Sequence, residues 1–509
     1  MKASISKLIK DIEKRRIQVS SKTKRENKSA KGQFFTPYSV ASIMANFPKL
    51  TGEEIKILDP GAGMGCLTAA ILKKILNKRK KPKRIHVTAV ENDLTLIQEL
   101  EQTLNDCFEV SQKHGVDFSY NIVTHDFITL ACNDINDDLI SCGLSKTFLQ
   151  DYDLAILNPP YKKITGNSLD RILLSKVGID THNLYSAFVA LSLKLLRSKG
   201  QLVSITPRSF CNGPYFKPFR ENILKTSCIS NIHIFDSRTK TFREDNVLLE
   251  NLILHLIKGK KQANIKITRS DCAISTKRSR ASHPNDVIGG SPDYFIHMIA
   301  TDEDAEISRK MNKLPNNLSD LGIQVSTGRV VDFRVKEQLV QKLITDTVPM
   351  IFSTHIDIGK ITWPIDNKKP NAIRVSEKTA NLLLPSGNYI ITKRFSAKEE
   401  KKRIVSAVLT EASFKAPHFG LDNMTNYFHS NNNGLKYEVA IGLSTYLNSS
   451  FVDNYFRQFS GHTQVNAADL RALKYPKEYD LIKIGKIVEK SPSNVELINN
   501  TIMKILFAP

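Results

Sequence analysis

Between Gly32 and about Lys258 the chain alternates short apolar runs with longer helical stretches, and this alternation constrains the fold more than any other feature. IKILDP (55–60), IHVTAVEND (85–93), FSYNIVTHDF (118–127), YDLAILNPPY (152–161), QLVSITP (201–207), ISNIHIFD (229–236) and LLENLILHLI (248–257) read as strands. CLTAAILKKILNKRK (66–80), LTLIQELEQTLNDCF (94–108) and LYSAFVALSLKLLRSKG (184–200) read as helices, the last stopped by Gly200. Strands that alternate with helices in this way wind into a mostly parallel sheet covered on both faces, a doubly wound, Rossmann-like α/β fold. The pattern changes after Lys258. The basic, Ser-rich stretch up to Gly290 reads as a linker or crossover holding one strand, and short strands with many Asn, Lys and Thr follow. The expected organisation is a basic N-terminal arm over 1–31, an α/β catalytic domain over 32–265, a linker over 266–315 and a second, mixed α+β domain over 316–509.

Charge narrows the partners. Lys and Arg number 73 against 51 Asp and Glu, a formal net charge of +22. Such an excess favours a polyanion, nucleic acid before a membrane surface. The seven cysteines are scattered with no CxxC pair, so neither disulfides nor structural zinc is expected. No apolar run has transmembrane length, and the chain is read as cytoplasmic.

The polar residues cluster at successive strand ends. DPGAGMG closes the first strand, and Gly61, Gly63 and Gly65 let the backbone approach a ligand and enter a helix. Glu91, followed by Asn92, ends the second strand where a carboxylate grips ribose hydroxyls. Asp126 ends the third as an acceptor for an adenine amino group, with Phe127 to pack on the ring. With Asp59 ahead of the glycines, this spacing suits S-adenosylmethionine better than a dinucleotide. The fourth strand ends in Asn158, Pro159, Pro160 and Tyr161. The prolines fix the backbone, so the Asn158 side-chain oxygen and the Pro159 carbonyl stand ready to accept from an adenine amino group. Those bonds strengthen as the nitrogen becomes tetrahedral and positive, and acceptors fixed in advance need no reorganisation. Tyr161 offers a π face to the base, and no metal is required.

The ordered set GQFFTP, DPGAGMG, VEND, HDF and NPPY resembles the gamma class of N6-adenine DNA methyltransferases. LGIQVSTGRVVDFR, YIITKRFSAKEEKKRIVSAV and YFRQFSGHTQVNAADLRALKYP extend the resemblance to PstI/BsuBI-type modification methylases of type II restriction-modification systems. The resemblance implies that Phe35, Thr36 and Pro37 cover the methionine end of S-adenosylmethionine, and that Asp59, Gly61 and Gly63 surround its amino-acid part. It implies double-stranded DNA as partner, CTGCAG as target, and a cognate endonuclease acting separately. It also implies a second aromatic on the flipped base; Phe242, in a polar loop, is preferred to Phe235.

Sequence choice falls to the second domain, with a basic cleft between the two lobes. Arg329 and Arg334 are candidates for guanine, Gln464 and Asn466 for adenine. Lys393, Arg394 and Lys401 to Arg403 are candidates for phosphates. His462 reads as a structural histidine beside them. Three rival readings stay open: an RNA-base or protein-glutamine N-methyltransferase, a non-catalytic DNA-binding protein on a methylase fold, and a chain that also carries a nuclease.

Overall fold

A computed structural model of the chain describes residues 2–22, 35–136, 150–235, 250–270, 278–290, 293–366 and 368–508. They divide into two compact units, Met1–Thr301 and Asp302–Pro509.

The first unit is built on one nine-stranded sheet: β1 (Glu54–Pro60), β2 (Arg84–Val90), β3 (Asp117–Val123), β4 (Tyr152–Leu157), β5 (Leu196–Pro207), β6 (Ser227–Phe235), β7 (Asn251–Lys258), β8 (Ile265–Ser270) and β9 (Arg278–Ser282). Their order is β3-β2-β1-β4-β5-β7-β6-β8-β9. The first five in that order are parallel, whereas β7 runs antiparallel to both β5 and β6. The chain therefore builds outward from β1 to β3, then returns to place β4 on the other side of β1. The connections diverge at that point and leave a crevice at the carboxyl ends of β1 and β4.

Helices cover the sheet. On one face α1 (Lys2–Lys22), α2 (Tyr38–Met44), α3 (Cys66–Leu76) and α4 (Leu94–Lys113) share a continuous apolar core with Ile57, Val87, Phe118 and Ile156 of the strands. The unit also contains α5 (Phe127–Ile135), α6 (Leu169–Lys176), α7 (Leu184–Leu195) and α8 (Lys217–Thr226). Local chemistry starts several of them. Asp93 accepts from Thr95 N–H to cap α4, Asp126 accepts from Thr129 N–H at 2.9 Å to cap α5, and Ser168 caps α6.

Three expectations are corrected. The basic N-terminus does not stand free as an arm over residues 2–22. Ile5, Leu8, Ile9 and Ile12 recur at helical spacing and are buried in the core, while Arg15 pairs with Asp106 of α4 at 2.8 Å. The helix read as running to Gly200 ends at Leu195, and Leu196 is already extended and paired with Tyr152. Gly200 belongs to an irregularity in β5, where a Cβ would lie 2.8 Å from the Tyr152 carbonyl, so it marks close backbone approach and not a helix stop. The segment read as a linker holding one strand carries β8 and β9, which extend the sheet through Ile265 and Ile267.

The second unit is mixed α+β. One four-stranded antiparallel sheet joins Gln324–Thr327, Thr425–His429, Tyr389–Lys393 and Ser406–Leu409. A five-stranded sheet contains Thr347–Ile351 and His418–Leu421 as a parallel pair. Its helices include Asp302–Asn312, Tyr437–Asn448, Ser450–Phe459, Glu478–Val488 and Val495–Phe507. No helix among the described residues is long and apolar enough to cross a membrane.

Candidate active site

The crevice at the β1/β4 switch is a cavity of about 440 Å³. It draws Gly61 and Gly63 from the turn after β1, Glu91 and Asn92 after β2, Asp126 and Phe127 after β3, and Asn158 and Pro160 after β4. Phe35 closes it from the segment before α2. Residues spread over some 125 positions of sequence thus line one space.

The turn is held by Glu91. Its carboxylate accepts from Gly63 N–H and from Asp93 N–H, both at 2.8 Å. Glu91, a residue expected to face a ligand, also ties β2 to the glycine turn. Burial raises its pKa despite those bonds. Gly63 has φ +56°, and a Cβ there would stand 3.8 Å from the Phe35 ring. Any side chain at Gly63 would narrow the cavity wall that Phe35 forms.

Asp59 does not line the cavity; it lies fully buried at the end of β1. One carboxyl oxygen accepts from the Thr68 hydroxyl at 2.7 Å, and the other has no partner among the described residues. Desolvation dominates and pushes its pKa up to about 7.

The loop after β4 is a relay of hydrogen bonds. Asn158 Nδ2 donates to the Thr36 hydroxyl at 3.0 Å, and Asn158 Oδ1 accepts from the Tyr161 hydroxyl at 2.9 Å. The same Tyr161 hydroxyl lies 3.2 Å from the Ile205 carbonyl. Pro159 is buried and Pro160 half-buried. The relay fixes the Asn158 amide at both ends and tethers the half-buried Tyr161 ring by its oxygen, with Tyr185 edge-on at 6.3 Å. Burial raises the Tyr161 pKa, so the phenol stays a donor. Pro37 adds the start of α2, its carbonyl accepting from Val40 and Ala41.

Sequence reasoning missed His125, Lys162, Asp170 and Phe188, which also line the cavity. The Phe188 ring lies 4.8 Å from that of Phe127, tilted by 47°, but from Tyr185 to Leu195 every residue of α7 except Lys194 is buried, so nothing in its pattern singled out that residue. Asp170 sits in the first turn of α6; burial, then Asp126, raises its pKa. Phe242 lies outside the described residues. Its rival Phe235 is core, 4 % exposed with its ring 4.6 Å from His233. Among the described residues no group of three or more His, Cys, Asp or Glu is arranged to hold a metal. Of the cysteines, five are buried and free, and Cys142 and Cys272 lie outside the described residues.

In the second unit three distant segments converge on Asn426. It pairs with Thr327 and Thr392 in the sheet and donates to the Val465 carbonyl at 2.8 Å. Arg329, Lys393, Arg394, Gln464 and Asn466 flank those contacts in sequence. Arg329 donates to Asn432 at 2.7 Å, Lys393 approaches Asp357 at 3.7 Å, and Arg394 donates to the Asn423 carbonyl. Asn466 is engaged with Asp469, whereas Gln464 is half-buried in a bridge to Phe395. Arg334 is exposed over the Phe333 ring. Two phosphate candidates are corrected. Arg403 is 1 % exposed and donates to Ser396 and to the His462 carbonyl, while Lys402 is buried against Ser450. Both are spent inside the fold, and His462 serves it through its backbone.

Comparison with known proteins agrees with this architecture. The family model described as Eco57I restriction-modification methylase matches residues 4–242. The type II methyltransferase M.PstI of Providencia stuartii is 44% identical over 468 residues, spanning 91% of this chain and 90% of that protein. M.BsuBI of Bacillus subtilis, also a type II methyltransferase, is 42% identical over 499 residues, 96% of each. Among solved structures, the type IIL restriction-modification enzyme MmeI in complex with DNA aligns over 100% of this chain and 76% of that one, with a TM-score of 0.53 at 11% identity, a likeness of fold. Identity above 40% over nearly the whole length, on a sheet whose switch-point crevice gathers all four strand-end motifs, means that the chain belongs to the type II DNA methyltransferases of restriction-modification systems.

Proposed function

We propose that the protein transfers a methyl group from S-adenosylmethionine to N6 of one adenine in a specific duplex DNA sequence, after the base is flipped out of the helix. One observation carries the reading: Asn158 and Pro160 line the same cavity as Gly61, Gly63, Glu91 and Asp126. A loop suited to hold an amino group thus adjoins a space suited to a nucleoside cofactor. The residues present fit that cofactor. Glu91 after β2 suits ribose hydroxyls, and Asp126 and Phe127 after β3 suit an adenine edge and face, all three on the cavity lining; Asp59 lies off that lining, bonded to Thr68.

When bound, S-adenosylmethionine supplies an electrophilic methyl group on a sulfonium sulfur. The chain's own task is to make a poor nucleophile competent. Asn158 Oδ1 has two lone pairs. The Tyr161 hydroxyl takes one, which fixes the oxygen in place, and the other accepts from the adenine amino group beside the Pro159 carbonyl. As charge grows on that nitrogen these bonds strengthen, and a hydrogen bond to a charged group contributes roughly 1.5–3 kcal/mol. Thr36 and Tyr161 act as positioning residues through the Asn158 amide, and the Tyr161 ring stacks on the base. Flipping costs a few kcal/mol for a paired base, which stacking and the Asn158 bond offset. The proton leaves the nitrogen after transfer.

The surface around Arg329, Arg334, Arg394, Gln464 and Asn466 is proposed to read the sequence. The resemblance of the sequence motifs to PstI/BsuBI-type methylases makes CTGCAG the first candidate target, with a separately encoded endonuclease as companion. The test is direct. Purified protein, labelled S-adenosylmethionine and duplexes with or without CTGCAG should give N6-methyladenine only in the former, with RNA and protein extracts unlabelled. Asn158→Ala should lower the single-turnover rate at least about 10- to 100-fold, the equivalent of one such hydrogen bond, with duplex affinity kept. Label in cytosine, RNA or protein would defeat the reading.

A further inference from the structure

The first unit holds a second cavity, of about 870 Å³, that shares no lining residue with the first. Its floor is a sheet face that changes character. Val203, Ile205 and Ile253 on that face belong to the apolar core. Their same-face neighbours Gln201, His255, Asn231, His233 and Thr268 are polar. A sheet face packed on helices is normally apolar, so this stretch is not built as core. The polar floor is rigid and internally satisfied. His233 is bonded to Thr268 and Ser270, and His255 to Asn231 and Gln201. Burial, then the charges of Lys260 and Lys49, lowers the His255 pKa to about 4, so that imidazole is neutral at physiological pH.

The charge is on the rim. Lys49, Lys199, Lys260 and Lys266 line the cavity and are exposed, and no Asp or Glu among the described residues lines it. None of the four pairs with a carboxylate among the described residues. Four ammonium groups around one concavity without a counter-charge repel one another, and a multiply charged anion relieves that repulsion. One wall is apolar: Ile43 and Phe47, the latter's ring 6.1 Å from His255. The volume lies within the roughly 300–1,000 Å³ typical of small-molecule sites. A duplex, by contrast, would touch only the rim and leave floor and wall unused.

We propose that this cavity binds a nucleoside polyphosphate, with its phosphates among the four lysines and its base against the Ile43–Phe47 wall. The test is calorimetric titration of the full-length protein with ATP, inorganic tripolyphosphate and adenosine, repeated with S-adenosylhomocysteine present to occupy the first cavity. ATP is expected to bind most tightly, tripolyphosphate more weakly and adenosine least, with ATP affinity unmoved by S-adenosylhomocysteine. The combined variant K49Q/K199Q/K260Q/K266Q should lose at least about tenfold in ATP affinity, in line with the loss of charge-assisted hydrogen bonds, with an unchanged melting curve. Should that variant melt early, K260Q alone is expected to cost about threefold, equivalent to roughly 0.6 kcal/mol. Absence of ATP binding, equal affinity in the lysine variants, or displacement by S-adenosylhomocysteine would each overturn the proposal. Tripolyphosphate binding as tightly as ATP would overturn the nucleoside assignment, and loss of duplex affinity alone in the variant would reassign the rim to DNA.

Discussion

At Asp59 burial outweighs hydrogen bonding. The Thr68 hydroxyl and backbone both favour the carboxylate, yet desolvation raises the pKa from 3.8 to about 7. The sign follows from proton counting. Between those values the folded state holds a proton that the unfolded state has released, so this group's contribution to stability is full below about pH 4, falls as pH rises to about 7, and is flat beyond. Asp59→Asn should remove that slope. Urea-unfolding free energies of the cofactor-free wild type and variant, compared from pH 4 to pH 8, should diverge by about 4 kcal/mol in the variant's favour, since each pKa unit is worth about 1.4 kcal/mol. Parallel curves would show that Asp59 is ionised throughout. Gly65 is constrained by conformation and space together. It has φ +77°, and a Cβ would meet Leu100 and Thr103 at 3.1 Å. Gly65→Ala should cost about 2–4 kcal/mol, combining left-handed strain with overpacking, read as an earlier urea midpoint. An unchanged midpoint would mean that the turn relaxes freely.

Among the elements, α1 separates composition from role. Its charges suggested a DNA-facing arm, but its Ile and Leu residues close one face of the sheet core. Ile12→Ala should therefore destabilise the protein by about 2–5 kcal/mol, as for other buried large-to-small changes, with a lower melting temperature and a salt response of DNA binding like that of wild type. If duplex affinity fell while melting stayed constant, α1 would be an arm after all. The relay Thr36–Asn158–Tyr161–Ile205 shows a similar division. It links the segment before α2, the β4 loop and β5, so the Asn158 amide is positioned by Thr36, 122 residues away, and through Tyr161 by the Ile205 carbonyl.

For the molecule as a whole, the net charge of +22 should make duplex affinity steeply salt-dependent. Between 50 and 200 mM salt the association constant should fall by about 10³–10⁵ if six to ten phosphates are neutralised, measured by fluorescence anisotropy with a labelled duplex. A flat response would dissociate the charge from DNA binding. The burial of Lys402 and Arg403 already shows that net charge overstates the cations available to phosphate.

Strand periodicity and the four strand-end motifs were legible in the sequence because a buried parallel sheet demands short apolar runs, and because ligand-binding residues of such a sheet collect where those runs stop. Gly61, Gly63, Glu91, Asn92, Asp126, Phe127, Asn158 and Pro160 are neighbours in one cavity for that reason. What the sequence left undecided was whatever depends on non-local pairing. Gly200 looked like a helix stop because glycine serves both purposes; only the approach of the Tyr152 carbonyl distinguishes them. Phe188 and Asp170 entered the cavity wall through the packing of α7 and α6, and Arg403 left the phosphate candidates through burial against Ser396 and the His462 carbonyl. Local pattern determines which residues form a strand or a turn, but whether a side chain meets solvent, ligand or core is decided by partners brought from far along the chain.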